Sequence, residues 1–134
     1  MSMGYGGGCR KYGESPEFVM YEYYAYDWNI EECRNPNRVY DGIIKIKKSA
    51  FIEPEIHQKI KRRPSGRKLL VTKRIERDVP ISEYSENGKV ELVNSSFCGR
   101  ICNGHGYIGL RLLDKIFSEY QRSGEIPHVV SIHA

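Results

Sequence analysis

No apolar run in this 134-residue chain approaches the length of a bilayer-spanning helix, which excludes a helical membrane span. An apolar segment is also missing behind the first charges, Arg10 and Lys11, so no secretory signal is expected and the cytoplasm is the expected compartment. Cysteine is scarce: Cys9, Cys33, Cys98 and Cys102 are too few and too scattered for a disulfide framework, and in a reducing compartment they are expected as thiols. Several catalytic and recognition signatures are absent too. No cysteine has the C-x5-R spacing of a phosphate-cradling thiol, no G-x-S-x-G is present, and RNP, KH and zinc-finger patterns are missing.

Charge of one sign is missing from two stretches. Between Tyr12 and Cys33 there is no Lys or Arg, against six acids (Glu14, Glu17, Glu22, Asp27, Glu31 and Glu32). From His57 to Arg77 the balance reverses: nine bases (Lys59, Lys61, Arg62, Arg63, Arg67, Lys68, Lys73, Arg74 and Arg77) face one acid, Glu76. The net charge of +4 therefore understates a local field that attracts phosphates unless the acidic stretch packs against it.

What is present is ordinary for a globular chain: 40% hydrophobic and 28% charged residues. A chain of this size buries roughly two-thirds of its unfolded surface in one core. Residues 1–15, dense in glycine, are expected as a flexible arm, and 16–134 as a single domain. Glu17 to Ile30, rich in tyrosine and β-branched residues, predicts a central strand with both faces largely covered. A loop around Asn35-Pro36-Asn37 leads to a second strand, Asp41 to Phe51, whose alternation leaves Lys45 and Lys47 in solvent.

Pro54 fits a helix start, so a short basic helix is expected over Pro54 to Arg63, ending at Pro64-Ser65-Gly66, with a strand from Arg67 to Arg77 after it. Asn87-Gly88 between two short runs, Ile81 to Glu86 and Lys89 to Val93, predicts a two-residue β-hairpin. Ile108, Leu112, Leu113, Ile116, Phe117 and Tyr120 recur at helical spacing, Gly124 closes that helix, and Ile126 to Ile132 makes a last strand. The order ββαβββαβ predicts an α+β domain: a mostly antiparallel sheet of about six strands with two helices.

Chemistry-bearing residues concentrate in 93–124. Gly104, Gly106 and Gly109 match G-x-G-x-x-G at a helix start, where free amides favour an anion, and Arg100 would add charge; the competing explanation is a tight turn or close helix approach. A dinucleotide fold lacks its second half, and the overlapping Walker-like spacing lacks its Lys and hydroxyl. Cys98, Cys102 and His105 have zinc-ligand residue types, but C-x3-C-x2-H is not a well-attested spacing, so no metal or other cofactor is expected. The same three are the candidate nucleophiles and base of a thiol enzyme, weighed against packed thiols.

The leading expectation is a non-enzymatic binding protein that holds RNA or DNA through the basic 57–77 segment, its cations gathered on one side of the molecule near the amide end of the last helix. The alternatives are a hydrolase or transferase acting on a nucleotide or phosphorylated small molecule at Cys98 to Gly109, and a regulatory or inhibitor protein whose partner is another protein.

Overall fold

In the computed structural model, which describes residues 4–97, 101–102 and 104–133, the chain opens with two long paired strands, β1 (Tyr5–Glu14) and β2 (Phe18–Asp27). The glycine-rich stretch is thus not an arm. Its glycines serve close approach: a Cβ at Gly8 would stand 2.8 Å from the Tyr24 ring, and one at Gly7 2.8 Å from Ile108 on the last helix. Only side-chain-free residues let a ring and a helix press on the same strand from opposite faces.

Next come β3 (Gly42–Lys47), the pair β4 (Glu55–Arg62) and β5 (Lys68–Ile75), the short helix α1 (Ile81–Glu86) and β6 (Val90–Val93). Two-residue strands β7 (Ile101–Cys102) and β8 (His105–Gly106) pair with each other, then α2 (Tyr107–Ser123) and β9 (Val129–His133) complete the described chain. The main sheet has the order β6-β3-β2-β1-β9, and all its pairings are antiparallel. The fold is α+β with a mostly antiparallel sheet, as the sequence predicts, and the described residues hold two α-helices.

Two local expectations are overturned. Residues 54–63 form no helix: with only Ile56 and Ile60 apolar, a helix there has no face to bury. The alternating residues instead satisfy their backbone in a ladder from Glu55↔Ile75 to Arg62↔Lys68. Gly66, at φ +82°, closes the turn, donating to the Arg63 carbonyl at 2.9 Å. Nor do residues 81–93 form a hairpin. Gly88, at φ +80°, ends α1, and the Lys89 amide reaches back to the Tyr84 carbonyl at 2.9 Å. Asn-Gly supplies positive φ equally well to a helix terminus and to a hairpin turn, and here buried Tyr84, packed on Phe117, favours the helix.

The core lies between one face of the sheet and α2. Val19, Tyr21, Tyr23 and Ala25 of β2, with Ile44 and Ile46 of β3, meet Leu112, Leu113, Ile116 and Phe117, all essentially inaccessible to solvent. Each such aliphatic or aromatic side chain contributes about 1.5–3 kcal/mol by burial. β2 is central, but only this face is covered by helix. On the other, Phe18, Met20, Glu22 and Tyr26 are half-buried.

Candidate nucleic-acid interface

The basic tract folds into the β4–β5 ribbon. Every β4 residue is exposed, as is every β5 residue except half-buried Val71. At about 3.3 Å per residue the ribbon runs roughly 26 Å. Cross-strand register decides which side chains share a face. One carries His57, Lys59 and Lys61 opposite Lys73, Val71 and Leu69; the other carries Ile56, Ile60 and Arg62 opposite Arg74, Leu70 and Lys68. Arg63 and Arg67 sit on the tip between them. A groove of about 390 Å³ on the first face is lined by His57, Gln58, Lys59, Lys61, Val71 and Lys73.

The ribbon's one acid, Glu55, bonds His57 at 2.8 Å. Among the described residues no carboxylate pairs with Lys59, Lys61, Arg62, Arg63, Arg67, Lys68 or Lys73. The acidic stretch is engaged elsewhere, with Glu14 on Lys11 and Lys48 and Glu22 on Arg10.

The Arg74 guanidinium has another task, at the base of the ribbon, where the backbone of Arg77 is also held. Arg74 Nη1 donates to the carbonyls of Gln121 and Arg122 at 3.3 Å each, placing a cation at the negative end of the α2 dipole. Buried Gln121 then grips the backbone of Arg77 in both directions: the Arg77 amide donates to Oε1 at 2.7 Å, and Nε2 donates to the Arg77 carbonyl at 2.9 Å. Glu76 between them bonds Arg122 at 2.7 Å and the Ser118 hydroxyl, and both hold its carboxyl below the usual range. Nothing in sequence spacing flags Gln121, because a lone glutamine on a helix reads as solvent-facing.

The ribbon therefore roots at the carbonyl end of α2, not at its amide end. The glycine loop lies at the other end, with 17 helical residues, roughly 25 Å, between. There the glycines have structural duties. The Gly106 amide donates to Asn94 Oδ1 at 2.7 Å, and Asn94 Nδ2 donates to the Gly104 carbonyl at 3.0 Å. Gly104 turns at φ +82°, and a Cβ on Gly109 would stand 2.9 Å from the Tyr23 hydroxyl. His105 Nε2 lies 3.1 Å from the Ser85 hydroxyl on α1, a pairing invisible in sequence.

Cys98, Arg100 and the side chain of Cys102, weighed in this loop as candidate thiol nucleophiles or metal ligands and as an anion contact, lie outside the described residues. No group of His, Cys, Asp and Glu able to hold a metal occurs among the described residues. Cys9 is a buried free thiol whose pKa burial pushes up to about 12, against a smaller opposite effect of the Val130 backbone.

Comparison with protein-family models, curated proteins and solved structures found no match for this chain. No described helix is long and apolar enough to cross a membrane.

Proposed function

We propose that this chain is a non-enzymatic nucleic-acid-binding protein that inserts the β4–β5 ribbon into the major groove of duplex DNA. One observation carries the reading: seven Lys and Arg side chains stand on a protruding, solvent-exposed ribbon with no acidic partner among the described residues. A two-stranded ribbon fits the B-form major groove, about 12 Å wide, whereas the major groove of duplex RNA is too narrow for side chains to read. Arg62, Arg63, Arg67 and Lys68 at the tip meet phosphates or guanine edges. Exposed Ile60 and Leu70, directly paired across the ladder, suit thymine methyl groups.

The enzyme alternative draws less support, since Gly106 and Gly109 are occupied by a turn and by packing. The buried Cys9 thiol suits a reducing compartment, the cytoplasm. The test is fluorescence anisotropy with labelled duplex DNA, duplex RNA and single strands across a salt series. Duplex DNA is expected to bind tightest, with affinity falling steeply as salt rises. Affinity for all three that is independent of salt would end the proposal.

A further inference from the structure

The sheet face away from α2 holds a second candidate site that shares no residue with the ribbon. Register places Tyr24, Gly8 and Ser131 in one row across β2, β1 and β9, and Tyr26, Gly6 and His133 in the next. Because β1 contributes only glycine to both rows, the Tyr24 and Tyr26 rings lie over it, and the Tyr26 hydroxyl stands 3.1 Å from His133 Nδ1. A cavity of about 270 Å³ is lined by Gly8, Tyr24, Arg38, Tyr40, Ser131 and His133 among others.

Its walls combine aromatic surface with positive charge. The Tyr40 ring stands edge-on to buried Tyr24 with centroids 5.0 Å apart and carries the Arg10 guanidinium 3.8 Å from its centroid, while the Arg38 guanidinium lies 5.6 Å from the Tyr24 centroid. Among the described residues no carboxylate pairs with Arg38. It is held in place by local architecture: φ is +49°, uncommon for arginine, and its amide donates to the Asn35 carbonyl at 3.2 Å. Buried Asn35 is tied in turn to the Ala25 carbonyl at 3.0 Å and to the Val39 amide at 2.8 Å. Backbone strain that is enforced by a buried clamp and delivers an unpaired cation to an aromatic cavity is the kind that accompanies ligand sites.

We infer that this cavity binds a single nucleotide unit, its base against Tyr24 and Tyr40 and its phosphate on Arg38, with Ser131 and His133 within the same walls. A planar ring needs an aromatic surface and a phosphate needs a guanidinium fork, and the cavity, small for a drug-sized ligand, suits one base with its sugar phosphate. The unit has two sources, a free nucleoside monophosphate or one residue of a single strand.

Calorimetric titration of the full chain with AMP, GMP, CMP and UMP, the corresponding nucleosides, inorganic phosphate and a single-stranded tetranucleotide lacking terminal phosphates tests this. At least one monophosphate or the tetranucleotide is expected to bind. Saturation by monophosphates identifies the free nucleotide as the source, and binding of the tetranucleotide alone identifies the strand. Arg38→Ala is expected to weaken binding about tenfold, with Arg38→Lys between, and Tyr40→Leu to weaken it as well. Exposed Arg38 can be replaced without disturbing the core, so it decides the matter even if the Tyr40 variant folds poorly. Glutamine substitutions on the ribbon should leave monophosphate binding unchanged, which separates failure here from failure of the duplex reading. The inference is overturned by no binding of either probe up to roughly 5 mM, by affinity for inorganic phosphate equal to that for monophosphates, or by an unaltered Arg38→Ala variant.

Discussion

Replacing the four tip cations together, Arg62→Gln, Arg63→Gln, Arg67→Gln and Lys68→Gln, gives a quantitative trial of the ribbon. Each phosphate neutralised on B-DNA adds about 0.9 to the slope of log K against log salt. If all seven unpaired cations engage, the slope is about −6, and affinity falls roughly 6,000-fold between 50 and 200 mM salt. With Lys59, Lys61 and Lys73 alone the slope drops to about −3 and the same change of salt costs roughly 40-fold. Among the described residues none of the four side chains has an ion-pair partner, and none of the four lies in the core, so thermal stability should stay within about 0.5 kcal/mol of the parent. Anisotropy on one duplex at four or more salt concentrations reads both slopes. Parent and variant slopes that coincide, or a parent slope shallower than about −1, would refute the assignment of the ribbon as the phosphate-binding element.

Three further outcomes probe the body of the protein. Gly109→Ala puts a methyl 2.9 Å from the Tyr23 hydroxyl and 3.2 Å from Leu92, and should destabilise the fold by about 1–3 kcal/mol in urea denaturation; an unchanged midpoint would argue against close packing of α2 there. The Cys9 thiol should resist an aromatic disulfide reagent at pH 8 in the folded state and react on unfolding, whereas rapid native labelling would contradict its burial. Burial alone would raise the pKa of Asp41, but hydrogen bonds from the Ser95 hydroxyl and from Ser96 outweigh it and hold the carboxyl below its ordinary value. Its contribution is thus present above the unfolded pKa of about 3.9 and lost as pH falls through the lower folded one, so the stability gap between parent and Asp41→Asn should close toward pH 3.

The sequence announced elements wherever one side chain pattern had one structural use. The helical recurrence from Ile108 to Phe117 could only be α2, and the lysine-isoleucine alternation of β3 could only be a half-buried strand. It misled where one residue type serves two purposes. Glycine in β1 reads as freedom, yet here it makes room for Tyr24, Tyr26 and Ile108, partners distant in sequence. Pro54 opens helices, but it also precedes strands, and β4 was chosen by pairing with β5 rather than by local propensity. Of the candidate interface, the cations themselves were legible, because charge is a local property. Their division was not: the Arg74 guanidinium and the backbone of Arg77 anchor the ribbon through Gln121, contacts spanning more than forty residues. The Arg38 cavity was equally hidden, since it depends on a register between β1, β2 and β9 that no local pattern encodes.

No residue of β4 or β5 belongs to the hydrophobic core, and a two-stranded ribbon alone is only marginally stable in water. The ribbon should therefore melt on its own, hinged at the Gln121 grip, while the five-stranded sheet stays intact. Its amides would exchange with solvent far faster than those of β2, and global unfolding curves would barely register it. A partner that closes on it must first organise it, so part of the attraction between cation and phosphate goes into straightening the arm. Stiffening substitutions at Pro64-Ser65-Gly66 become a way to tighten binding without adding a single contact.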